Sequence, residues 1–178
     1  MQRAVPRRRD EFATGRWCAR HALAQLDVAP GPIAVGPWRN PAWPEEVTGS
    51  ISHTTEICAA VVARCTTWRV IGIDMLDRTA AASLPADAVR LVTREPAEHS
   101  LPPAAPAWVP PLALLFSAKE SAIKALSPTL RRFVDFPEIR LRFEPQTFAA
   151  SMDGGHPSVQ GWWTTVMDTM IVTGAVLL

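Results

Sequence analysis

Apolar residues Phe12, Trp17, Ala19, Leu23 and Leu26 fall along one side of a helical period and predict a helix over 9–26. Residues 30–44 are rich in Pro and Gly and predict a loop. GSISH, at 49–53, leads into an apolar, β-branched run at 57–65, and a second such run covers 68–76. The short Thr66-Thr67 connection predicts that these two runs pair as an antiparallel hairpin. An Ala-rich stretch over 79–86 ends near Pro85, and 87–93 predicts a short helix. Five prolines between 102 and 111 predict an extended linker. A helix over 112–126 follows, with Ser127-Pro128 as its stop. Alternation over 138–143 predicts a strand, and 162–166 with 170–178 predict a closing hairpin around 167–169. Strands and helix, then helix and strands, make an α+β fold of two similar-sized halves, 1–100 and 101–178, meeting near the Pro-rich linker.

Composition adds limits. With 178 residues, 48% of them hydrophobic, the chain can bury a core of its own. A net charge of +1 provides no global field to draw it to nucleic acid or a membrane surface. No apolar run is long enough to cross a bilayer, and the arginines near the start interrupt any signal-peptide core. Cys18, Cys58 and Cys65 form no CxxC and cannot all pair, which speaks against a disulfide framework or a zinc site and suits a reducing cytoplasm. Arg3, Arg7, Arg8, Arg9, Arg16 and Arg20 crowd the start, as either a solvated basic face or an anion site. Of 18 basic residues only Lys119 and Lys124 are lysines, and both lie in one short segment. A compact ammonium and a planar guanidinium do different work, so that segment stands out.

Three clusters carry candidate chemistry. Gly72-Ile73-Asp74 ends an apolar strand with an acid, and a bare carboxylate there needs a cation, donors or a turn to cap. Glu120 and Lys124 are four apart on the predicted helix and share a face. That spacing suits a surface ion pair contributing about 0.3–0.5 kcal/mol, or a charged face turned into a cleft. Gly49–Thr54 (GSISHT) sets hydroxyls and an imidazole beside a glycine, a set suited to anions and weak on its own.

Taken together, GSISH at 49–53, GID at 72–74 and FSAKESAIK at 116–124 resemble the boxes of Sfp/EntD-type 4'-phosphopantetheinyl transferases, in the same order and at similar separations. The likeness extends over 9–23, 39–54 and 162–178. It implies the pseudo-symmetric antiparallel fold of that family. It also implies Mg2+-dependent transfer of phosphopantetheine from coenzyme A to a serine of an apo acyl or peptidyl carrier protein, releasing 3',5'-ADP, in the cytoplasm. Carried over, Asp74 and Glu120 would hold Mg2+, and Glu120 would also activate the serine. Lys124 would offset charge at the reacting phosphate, and Lys119 would help at the pyrophosphate. His53, with Ser52 nearby, would meet the 3'-phosphate, and Arg9, Arg16 and Arg39 would hold nucleotide phosphates.

Two departures stand out. The family places a second acid two residues after the GID aspartate; here that position is Leu76, leaving water or Asp77, one residue out of register, as replacements. The resemblance also implies more chain ahead of Arg9, so apolar surface in the first half would be exposed and favour association, giving a monomer or weak oligomer. A relative that binds coenzyme A or a carrier protein without transferring is the competing reading, and Leu76 is its support.

Overall fold

Residues 6–29, 31–93 and 105–177 are described by the computed structural model, and they form two antiparallel sheets, each covered by a long helix. Helix α1 (Pro6–Gln25) buries the row Gly15, Ala19 and Leu23, four residues apart, against strands β1 (Val47–His53) and β2 (Cys58–Arg64). Ala19 and Leu23 are fully buried there with Val28, Ile33 and Val47. Trp17, predicted on the apolar stripe, lies on the other side, where it is 54% exposed and its ring sits tilted against His21, with centroids 3.8 Å apart. The row is small at Gly15, where the helix passes close to the sheet: a Cβ there would stand 3.0 Å from Ile51.

The predicted pairing of 57–65 with 68–76 does not occur. β2 pairs with β1, from Val47 opposite Arg64 to His53 opposite Cys58. At the Thr66-Thr67 turn the chain leaves that sheet, and β3 (Val70–Asp77) pairs instead with β7 (Met170–Leu177) at the other end of the sequence. The larger sheet runs β3-β7-β6-β5-β4, completed by β4 (Arg140–Phe143), β5 (Thr147–Ser151) and β6 (Val159–Val166). The sheets therefore hold two and five strands, and the GID strand belongs to the larger one rather than dividing from it near residue 100. The closing hairpin lies where predicted, with β5 as an additional strand.

Between β3 and the second long helix lie α2 (Arg78–Ser83), a 3₁₀ turn (Ala86–Ala88) and α3 (Val89–Val92). Most of the predicted linker's prolines precede or begin that helix; residues 102–104 lie outside the described residues, and Val109 packs inward at 2% exposure. Helix α4 (Pro111–Leu130) starts with proline at its first turn, where no N–H is needed. It overruns the predicted stop and carries Pro128 in its last turn before Arg131 closes it in the left-handed region. A proline so near the end sacrifices one hydrogen bond without interrupting the helix body. Leu115, Ala118, Ala122, Ala125 and Leu126 pack against Ile139, Phe148, Ala150, Val159 and Ala175, the main core. Each large apolar side chain buried this way contributes roughly 1.5–3 kcal/mol.

As the edge of the larger sheet, β3 exposes N–H and C=O groups that would ordinarily seek another strand. β1 lies beside that edge and supplies side chains instead of a ladder. The Ile73 N–H donates to Ser50 Oγ and the Met75 N–H to Ser52 Oγ, both at 3.0 Å. Lys124 Nζ donates to the Ile73 carbonyl at 3.1 Å. The two sheets thus meet along a seam of serine hydroxyls and one ammonium, with a cleft of about 1130 Å³ opening beside it.

Candidate active site

The helical period of α4 sets Ser117, Glu120 and Lys124 in one row facing β3 and the cleft. On β3, Gly72, Asp74 and Leu76 share the face turned to α4. A Cβ on Gly72 would collide with the Ser121 carbonyl oxygen and stand 2.8 Å from the Ala125 nitrogen, so glycine there sets the closeness of helix and strand. One step along, at mid-strand rather than at a strand end, is Asp74.

Asp74 is buried and well supplied with donors. Its Oδ1 accepts from Lys124 Nζ at 2.7 Å and from Ser52 Oγ at 3.1 Å; its Oδ2 accepts from Ser117 Oγ at 2.9 Å. Lys124 also reaches Ser52 Oγ at 3.4 Å and lies 3.9 Å from Glu120 Oε2. Of the two acids, Glu120 is the one that lines the cleft. Burial raises its pKa, the Lys124 ammonium opposes that rise, and Asp74 adds to it. One ammonium thus stands between two carboxylates, one beneath it and one at the cleft wall.

His53, Arg16 and Arg39 line the same cleft. His53 Nε2 lies 4.0 Å from Glu11 Oε2. Arg16 donates to the carbonyls of Ile33 at 2.8 Å and Ala34 at 3.3 Å, lies over the Phe12 ring at 4.5 Å, and has its pKa lowered by burial. Arg39 adopts a left-handed conformation (φ 62°) in the loop before Pro41, beside Trp38, which meets Phe133 of the other half edge-on at 5.7 Å. Arg9 is exposed and lies off the cleft; its neighbour Arg8 lines it, in step with Phe12, Gly15 and Arg16. A four-residue spacing read back from Arg16 finds Arg8 at once.

Ser52 does not line the cleft. Its one proton goes to Asp74, while the Met75 N–H and Lys124 donate to its oxygen. Lys119, expected near the pyrophosphate, is fully buried on another face of α4 and donates to the Phe136 carbonyl at 3.2 Å. It holds the 3₁₀ turn Phe136–Glu138 beside the Phe116–Phe136 ring pair. Asp77 is also engaged elsewhere: its Oδ1 caps α2 by accepting from the Ala80 N–H at 2.8 Å. Leu76, in the place of a second acid, packs with Leu114, Trp163 and Ile171.

Among the described residues no three His, Cys, Asp or Glu side chains converge. Asp74 and Glu120 do sit around a single cation, the Lys124 ammonium, at 2.7 and 3.9 Å. Their donors are hard carboxylate oxygens, with hydroxyls behind, and that set fits a Mg2+ ion whose remaining ligands are water and phosphate oxygen.

Comparison with known proteins points to one family for both parts of the chain. Residues 1–63 match the family model described as the 4'-phosphopantetheinyl transferase N-terminal domain, and 70–165 match that of the 4'-phosphopantetheinyl transferase superfamily. The join between the two falls where the chain leaves the small sheet for the large one. The 4'-phosphopantetheinyl transferase PptT of Mycobacterium tuberculosis is 34% identical over 99% of this chain and 71% of its own length. The 4'-phosphopantetheinyl transferase Svp of Streptomyces mobaraensis is 39% identical over 90% of this chain and 66% of its own. Enterobactin synthase component D of Escherichia coli K12 is 39% identical over 70% of this chain and 58% of its own. This chain therefore spans about two thirds of the length of the relatives it matches, and it belongs to the 4'-phosphopantetheinyl transferase superfamily.

Proposed function

We propose that the cleft binds coenzyme A and that the row Glu120–Lys124, set against Asp74, transfers its phosphopantetheine arm to the serine of an apo carrier protein, acyl or peptidyl. The meeting of Asp74, Glu120 and Lys124 at one end of a basic cleft carries this reading. Arg8, Arg16, Arg39 and His53 would take the nucleotide phosphates. Glu120, open to the cleft, is placed to accept the serine proton, directly or through water. The serine oxygen forms its bond to the β-phosphorus as the bond from that phosphorus to the bridging oxygen breaks, and 3',5'-ADP leaves with the electron pair. Lys124 spends its three protons on Asp74, the Ile73 carbonyl and Ser52, so serving a phosphate requires it to release one. Asp74 and Glu120 would hold Mg2+, which when bound offsets negative charge on the phosphates. Three free thiols suit a cytoplasmic setting. Among the described residues no helix is long and apolar enough to cross a membrane.

The test is incubation with apo carrier protein, coenzyme A and Mg2+, read as the carrier's mass. A phosphopantetheine adduct on the carrier serine is expected. Coenzyme A binding without any adduct, at any Mg2+ concentration, would instead mark a binding protein. A second expectation follows from Leu76. With two protein carboxylates for the metal, the rate should keep climbing with Mg2+ beyond the point where a three-acid site would be full. Saturation at trace Mg2+ would refute the two-acid site.

A further inference from the structure

Thr173 is fully buried on β7, directly opposite Asp74 in the β3–β7 register. Its column on the sheet face beneath α4 is otherwise apolar: Ala175 and Ile171 flank it, both fully buried. Valine has the same shape and would fill the site at no polar cost, so the hydroxyl needs a reason. Its contacts supply one. Thr173 Oγ1 donates to the Ser117 carbonyl at 2.8 Å and lies 3.1 Å from Ser117 Oγ, which donates to Asp74 Oδ2 at 2.9 Å. Each hydroxyl has one proton. With Asp74 ionised, Ser117 spends its proton on Oδ2, and Thr173 sends its own to the Ser117 carbonyl or hydroxyl oxygen. In either arrangement Thr173 braces Ser117 from behind, and Ser117 fixes the carboxylate oxygen that neither Lys124 nor Ser52 touches.

We infer that Ser117 and Thr173 are positioning residues: a two-hydroxyl relay, running from β7 through α4, that fixes the orientation of the Asp74 carboxylate toward Lys124 and the metal site. The inference rests on the reading of Asp74 given under the proposed function. Such outer partners typically change metal affinity or activity by 10–100-fold.

Thr173→Val keeps the shape and removes the hydroxyl. The expected result is a folded protein with a melting temperature near that of the wild type and a KM for coenzyme A within about twofold, but with kcat lowered roughly 10–100-fold. Mn2+ titrated in the presence of coenzyme A and followed by electron paramagnetic resonance should bind more weakly by a similar factor. Thr173→Ser, which restores the hydroxyl without the methyl, should recover most of the loss. Because both groups act through one carboxylate oxygen, Thr173→Val added to Ser117→Ala should lose little beyond Ser117→Ala alone. Equal Mn2+ binding and equal kcat in the wild type and Thr173→Val would overturn the positioning role and leave the transferase reading standing. So would losses that multiply in the double variant, or a Thr173→Ser variant as impaired as Thr173→Val. A wild-type protein that binds no Mn2+ with coenzyme A present would overturn the metal reading of Asp74, and this inference with it.

Discussion

Glu120→Gln is expected to lower the rate of phosphopantetheine transfer by about 10²–10⁴-fold, the range a positioned general base contributes, while the protein stays folded. Gln has the size and shape of Glu and leaves the packing of α4 undisturbed; what it removes is the charge and the proton acceptor. Single-turnover assays on apo carrier protein would measure the loss, and an undiminished rate would remove Glu120 from the mechanism. A stability effect of opposite sign should accompany it in metal-free buffer. The folded protein holds the Glu120 proton to higher pH than the ordinary value of 4.5, chiefly because the carboxylate is buried. Between 4.5 and that raised folded value the native state binds more protons than the unfolded chain, so stability falls as pH rises through this window. The deficit persists at neutral pH. Gln mimics the protonated form and does not incur it, so Glu120→Gln should melt higher than wild type at pH 7 with a chelator present. The difference should vanish once the pH is below the ordinary carboxylate value. A variant less stable than wild type at pH 7 would contradict this account of Glu120's environment.

Gly72→Ala is expected to destabilise the fold by about 3 kcal/mol or more, at the upper end for overpacking. The added methyl meets backbone, the Ser121 carbonyl and the Ala125 nitrogen, rather than the end of a side chain that can rotate away. Either α4 lifts from β3 or β3 bends from the helix. At roughly 2–4 °C per kcal/mol for a domain this size, the melting temperature should fall by roughly 6–12 °C. Activity should suffer beyond the stability loss, because Asp74 is two residues from Gly72 on the same face and Lys124 is the neighbour of Ala125. Opening that contact lengthens the 2.7 Å pair on which the site is built. Gly31→Ala is the matched control, since nothing lies within 4 Å of its added methyl, and it should melt close to wild type. A Gly72→Ala protein with wild-type melting and wild-type rate would show that helix and strand are not held in register by this glycine.

Local patterns in the sequence determined the main helices and the identity of the candidate site residues. A helix fixes the relative positions of residues three and four apart, so Ser117, Glu120 and Lys124 were bound to share a face wherever α4 packed. The closing hairpin was equally legible, because both of its strands and their short turn are contiguous. What a strand cannot encode locally is its neighbour. Runs 57–65 and 68–76 read as partners because they adjoin in sequence, yet β3 pairs with β7 almost a hundred residues on, and its outer edge is met by Ser50 and Ser52 rather than by backbone. The lysines show the same division. Their rarity marked the segment, but only the packing of α4 decided that Lys124 faces Asp74 while Lys119 turns to the Phe136 carbonyl. Thr173 carried no signal at all in the sequence, since one threonine in a closing strand is unremarkable. It became informative once the β3–β7 register set it opposite Asp74 in an otherwise apolar column. The chemistry was therefore written in short segments, and the environment that governs it was decided by contacts between distant ones.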